Sequence, residues 1–167
     1  MKRIHRGMAL ALSAVLLLLT AAPSAWAAEN TITIETAQDL AELSKNCSLD
    51  SWSQGKTVLL AGDIDLTGTD FRPIPTFGGT FDGQGHTISG LLVTGNGNVQ
   101  GLFRYVQVGG VVQDLSVRGT VSPTDFRDTA GGIVGSNRGQ LLRCTFQGTV
   151  KGESSVGGIA GINEAEG

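Results

Sequence analysis

The chain has 167 residues, with 12 Lys/Arg against 15 Asp/Glu, a formal net charge of −3 and 25 glycines. No basic stripe or Lys/Arg cluster occurs downstream of the N-terminus, which argues against nucleic acid or an anionic membrane surface as partner. Two cysteines without CxxC or Cys/His spacing argue against a zinc site.

The first residues read as an export signal. Lys2, Arg3 and Arg6 precede an apolar run from Met8 to Leu19, and Ala25-Trp26-Ala27 offers a small-x-small cleavage site. The run is shorter than the ~20 residues a membrane-spanning helix needs. Residues 1–27 are therefore expected to be removed, giving an extracellular or cell-surface chain with no membrane insertion after cleavage. The remaining 140 residues would carry 9 basic and 15 acidic groups, net −6, and 24 glycines. That is about 17 % Gly, against an ordinary ~7 %, so tight turns and small side chains dominate.

Thr31-Ile32-Thr33-Ile34 alternates as a strand. Thr36 then has the character of a helix N-cap, with Asp39 at the third helical position and Leu40, Ala41 and Leu43 at helical spacing, which predicts a short helix from Ala37 to Ser44. Residues 28–57 are read as a cap over the open end of a repeat array.

From Val58 onward the chain repeats. Ile64, Leu66 and Gly68 match Leu91, Val93 and Gly95 at an offset of 27; Leu115, Val117 and Gly119 follow at 24, and Cys144, Phe146 and Gly148 at 29. A second ladder sets Gly79, Gly101, Gly132 and Gly158 ahead of Phe81, Phe103, Val134 and Ala160. Period-2 runs recurring at such intervals predict stacked turns of a β-solenoid with at least two strands per turn. Within Leu115-Ser116-Val117, the apolar residues face inward and Ser116 and Arg118 face out. Varying offsets are absorbed by outward loops such as Ser122 to Ala130 and Lys151 to Ser155. Export permits a Cys47–Cys144 disulfide, yet Cys144 occupies the step filled by Leu91 and Leu115, so a buried thiol acting as a small hydrophobe accounts for it without a bridge. The ladder defines about four full rungs from Val58 to Val150 and half a rung from Gly158. A leucine-rich repeat would need a Leu/Asn consensus that is not seen; a β-sandwich or barrel remains the competing all-β architecture.

Phe77-Gly78-Gly79-Thr80-Phe81-Asp82-Gly83-Gln84-Gly85-His86-Thr87-Ile88-Ser89-Gly90-Leu91 is similar to the phrase that opens many bacterial surface β-helix proteins. Gly132-Ile133-Val134-Gly135 and Gly158-Ile159-Ala160-Gly161 resemble the GLUG motif, each followed by a polar turn containing Asn137 or Asn163. Gly101-Leu102-Phe103-Arg104 departs from it, with Arg104 in place of the last Gly. The array from Val58 to Gly167 resembles GLUG-containing secreted proteins and the noncatalytic N-terminal region of IgA1-specific metallopeptidases. The resemblance implies a right-handed parallel β-helix, related in shape to pectin-lyase-type enzymes, with a surface or adhesion role.

Chemistry is sparse. Asp82 and His86 with Asp63, Asp65 and Asp70 are the one cluster to test as a saccharide-cleaving or Ca²⁺ site. The structural alternative makes Asp82 and Gly83 a tight corner and Asp63 and Asp65 solvated strand residues. His-Glu-x-x-His is absent, and His86 is the sole histidine after the leader, so neither a zincin nor a Ser/His/Asp site is expected. No residue is assigned as catalytic, cofactor-binding or metal-ligating, and no cofactor is expected. The Thr-, Ser-, Asn- and Gln-rich faces suit a glycan or protein ligand. The last step, Gly158 to Gly167, reads as an incomplete rung without a capping element, so the chain is expected to be the N-terminal fragment of a longer protein or a prematurely terminated one. The expected role is a noncatalytic scaffold or adhesin. The alternatives are a polysaccharide-active β-helix enzyme and the accessory region of a secreted metallopeptidase.

Overall fold

The computed structural model describes residues 30–124 and 129–164; the expected leader lies outside the described residues. β1 (Thr31–Ile34) leads into α1 (Ala37–Asn46). The first turn of the coil is β2 (Thr57–Leu60), β3 (Ile64–Asp65) and β4 (Ile74–Phe77). The second is β5 (Thr80–Asp82), β6 (Thr87–Val93), β7 (Val99–Gln100) and β8 (Phe103–Val106). The third is β9 (Val111–Gln113), β10 (Ser116–Val121), β11 (Thr129–Gly131) and β12 (Val134–Asn137). The fourth is β13 (Gln140–Leu142), β14 (Thr145–Val150), β15 (Ser155–Gly157) and β16 (Ala160–Asn163).

Like strands of successive turns stack in parallel into four ladders: β1-β2-β5-β9-β13, β3-β6-β10-β14, β7-β11-β15 and β4-β8-β12-β16. The chain is therefore a parallel β-solenoid of about four turns, with three or four short strands per turn. The apolar core fills the inside of the coil, with Phe77, Phe81 and Phe103 at its centre, their ring centroids 5.3–6.1 Å apart.

The N-terminal elements close the first turn. β1 pairs residue for residue with β2, Thr31 to Thr57 through Ile34 to Leu60. α1 starts in a capping box: Thr36 Oγ1 accepts from Asp39 N–H at 3.2 Å, and Asp39 Oδ2 accepts from Thr36 N–H at 2.9 Å. Leu40, Leu43 and the following Cys47 are buried in the common core, so the helix covers the end of the coil. The helix runs two residues past the expected Ser44, to Asn46.

The columns differ from the sequence ladder in two places. The ladder of Gly-led steps sets Phe81 over Phe103, but Phe81 stacks between Val58 and Val112 in the first ladder. Ile74 takes its place in the column Ile74–Phe103–Val134–Ala160, so Gly79 does not belong with Gly101, Gly132 and Gly158. The 22 residues from Phe81 to Phe103 are less than one full turn, and the local likeness of two Gly-apolar steps hides this. The second difference lies in the long ladder, where Ile64, Ile88, Val117 and Phe146 form one column. A register shift in β6 then sets Leu91 opposite Gly119 and Val93 opposite Val121. The extra residue is taken up at Ser89-Gly90, with Gly90 at φ +69°, a β-bulge that simple offsets cannot show. The expected pairs Leu115–Cys144, Val117–Phe146 and Gly119–Gly148 keep the offset of 29 seen in β10 and β14.

The segment expected as half of a fifth rung pairs with β12 and so completes the fourth turn. The expected outward loop from Ser122 ends earlier than Ala130, since Thr129 and Ala130 lie buried in β11; residues 125–128 lie outside the described residues. In the last turn Leu141, Cys144, Phe146, Val150 and Ile159 are partly buried, packed against the turn above.

Candidate functional site

Each coil passes from the first ladder into the second through a corner, and Asp63, Asp82 and His86 fall on or beside it. Asp114 and Arg143 occupy equivalent corners of turns three and four in the left-handed region, at φ +51° and +52°; Gln84 does so in the longer corner of turn two, at φ +50°. A short polar side chain tolerates that conformation, and Asp114 uses it to face its neighbour one turn on. Arg143 donates Nε to Asp114 Oδ1 at 2.5 Å and Nη2 to Oδ2 at 2.7 Å, a bidentate pair. Asp82 Oδ2 accepts from Gln113 Nε2 at 2.9 Å, again across one turn, while its Oδ1 accepts from Gln84 N–H at 2.8 Å inside the corner. Asp63 Oδ1 accepts from Thr87 N–H at 2.8 Å and lies 3.4 Å from His86 Nδ1. The corner is thus a polar ladder that ties turn one to two, two to three, and three to four.

Asp65 stands on the outer side of β3, where Oδ1 accepts from Thr67 N–H at 2.9 Å and Thr67 Oγ1 at 2.7 Å. Asp70 is separate from the corner, on the loop before β4. The five residues singled out in the sequence therefore divide among three places, and Asp82, Asp63 and Asp65 already hold structural hydrogen bonds. The carboxyls of Asp39, Asp65 and Asp114 are all displaced downward from the ordinary range. Backbone and side-chain donors near Glu35 and Thr36 hold Asp39 ionised, Thr67 holds Asp65, and the Arg143 guanidinium holds Asp114. A glycosidase general acid needs the opposite displacement. Among the described residues no three His, Cys, Asp or Glu side chains are grouped to hold a metal ion.

A second polar ladder marks the passage from the fourth ladder back to the first. Asn137 is buried, and its Nδ2 donates to Asn163 Oδ1 at 2.6 Å and to Gly139 O at 3.0 Å while its Oδ1 accepts from Gly139 N–H at 3.1 Å. The Asn that follows each GLUG-like step is thereby a lock between turns three and four. In turns one and two Phe77 and Val106 fill the same register position.

A further concavity lies elsewhere. A cleft of about 800 Å³ lies between α1, the loop before β4 and the end of β6. Lys45, Arg72 and Arg104 line it with a single carboxylate, Asp70. Ser44 Oγ donates to Arg72 O at 2.9 Å and Pro73 O at 3.2 Å, which fastens one wall to the helix. Arg104 Nε donates to Val99 O at 3.0 Å, fixing the guanidinium at the other wall. Sequence reading missed this site because its residues are scattered over four separate segments; Arg104, conspicuous where a motif Gly was expected, was the available signal.

The cysteines are apart in role and both free. Cys47 is buried under the cap, and burial pushes its thiol up to about 11. Cys144 is half-buried below Leu115, its thiol also raised by burial, with Sγ 3.4 Å from Val112 O. Among the described residues no helix is long and apolar enough to cross a membrane.

No protein-family model and no solved structure matches the chain. The chain is 32 % identical over 131 residues to Halomucin of Haloquadratum walsbyi, an alignment covering 68 % of this chain and 1 % of that protein. The chain thus spans about one hundredth of the length of the relative it matches.

Proposed function

We propose that the chain is an exported, noncatalytic β-solenoid module of a cell-surface protein, presenting its faces to glycan or protein ligands, as the GLUG resemblance implies. The observation that carries this reading is the use of the acidic residues. Asp63, Asp82 and Asp114 each accept a hydrogen bond from a donor of the next turn, as an architecture that stacks by its corners requires. A pair of carboxylates acting across a sugar would instead be free to face the substrate. The match to a short stretch of the very long Halomucin chain fits a repeated building unit.

The test is twofold. The secreted chain is passed over immobilised host glycans and surface proteins, and selective capture is expected. In parallel, soluble polysaccharides are incubated with the parent chain and with Asp82→Asn. Product release that depends on Asp82 would overturn the noncatalytic reading and favour a polysaccharide-active enzyme.

A further inference from the structure

We infer that the cleft beside α1 is a binding site for an anionic saccharide, a sugar chain bearing carboxylate or sulfate groups; this rests on the binding-module reading above and names its ligand class. The first argument is charge. The chain as a whole is acidic, with 15 Asp/Glu against 12 Lys/Arg. Yet Lys45, Arg72 and Arg104 line one cleft against a single Asp70. Among the described residues none of these three cations forms an ion pair, although Arg104 lies over the Tyr105 ring, whereas Arg143 and Arg138 face Asp114 and Glu164. Like charges lining one cleft repel one another, and an anion joining them relieves that repulsion.

The second argument is surface chemistry. The lining of the cleft includes the half-buried Phe71, the exposed Leu92, Thr94 and Asn96. Apolar area beside hydroxyl and amide groups matches a sugar ring, whose C–H face and hydroxyl edge need both. A volume of about 800 Å³ falls within the ~300–1,000 Å³ typical of small-ligand sites. The third argument is rigidity. Ser44, Pro73, Pro75 and the Arg104–Val99 bond hold the walls in place without a ligand, so little ordering opposes binding.

Calorimetric titration of the purified chain with a hexagalacturonate, a heparin-derived hexasaccharide and neutral maltohexaose tests the inference. One or both anionic hexamers should bind in low salt, at least tenfold more tightly than maltohexaose, and the two anionic arms distinguish carboxylate from sulfate. Lys45→Ala with Arg72→Ala should weaken that binding about tenfold or more, with the melting temperature kept near the parent's because both side chains are exposed. Asp70→Asn should tighten it severalfold, an effect no purely structural role of Asp70 produces. Equal binding of the neutral hexamer, binding unmoved by these substitutions, or no binding of either anionic hexamer overturns the assignment. Capture of some other glycan or protein in the panel described above would then still stand for the module reading, so the two fail separately.

Discussion

Two residues show how closely the turns approach. Gly119 lies beneath Leu91, and a Cβ built on it would sit 2.1 Å from Leu91 O and 2.6 Å from Leu91 Cβ. Leu91 thus fills space that Gly119 leaves open, which is why the column at this step is not uniformly apolar. Gly119→Ala is expected to destabilise the chain by about 1–3 kcal/mol through overpacking, read as a fall of several degrees in Tm. A melt within a degree of the parent would contradict the packing of Leu91 on Gly119. At the outer corner, Asp114 is held below its ordinary range by Arg143. A carboxyl whose folded value is depressed stabilises the fold above its unfolded pKa of ~3.9 and loses that contribution as pH falls through the folded value. Asp114→Asn should therefore lower Tm at neutral pH, with the difference from the parent shrinking below about pH 4. A difference that persisted undiminished at pH 2 would place the effect outside the Asp114–Arg143 pair.

At the scale of elements, β-strands as short as two residues hold only because each is repeated above or below. β3, Ile64–Asp65, is such a strand, and it is anchored by the column Ile64–Ile88–Val117–Phe146. Val117 sits in the middle of that column and is 1 % exposed. Val117→Asp would leave a charge without a partner inside the coil, on the order of 3–5 kcal/mol, and is expected to unfold turns two to four together, seen as a loss of strand circular dichroism at room temperature. Parent-like melting would mean that Val117 does not face inward. The helix was legible from Thr36 and Asp39 because a capping box is a local signal. The β6 bulge was not, since one inserted residue at Ser89-Gly90 leaves the alternation of β6 readable on either side of it.

At the scale of the whole molecule, the coil separates its structural chemistry from its open surface. Corner ladders consume Asp63, Asp82, Asp114 and Arg143, and the Asn137–Asn163 lock consumes the amides of the opposite corner. Lys45, Arg72 and Arg104 come together beside the cap, where α1 and two outward loops build a cleft that the repeats alone would not have. A repeat array with one specialised end suits a module that stacks by its turns and binds by its cap.

By itself the sequence determined that the chain is a β-solenoid of about four turns, capped by a strand and a short helix. Period-2 apolar steps, glycine turns and a helix cap are short-range signals, and each is written in neighbouring residues. Only the tertiary structure decided which steps share a column, because register depends on how long each outward loop is and on a bulge worth a single residue. It also decided that Asp82 meets Gln113 and Asp114 meets Arg143, and that Lys45, Arg72 and Arg104 share a cleft. Residues one turn apart touch across a 4.8 Å ladder spacing while standing about 30 positions apart in the chain, a separation that no local pattern carries.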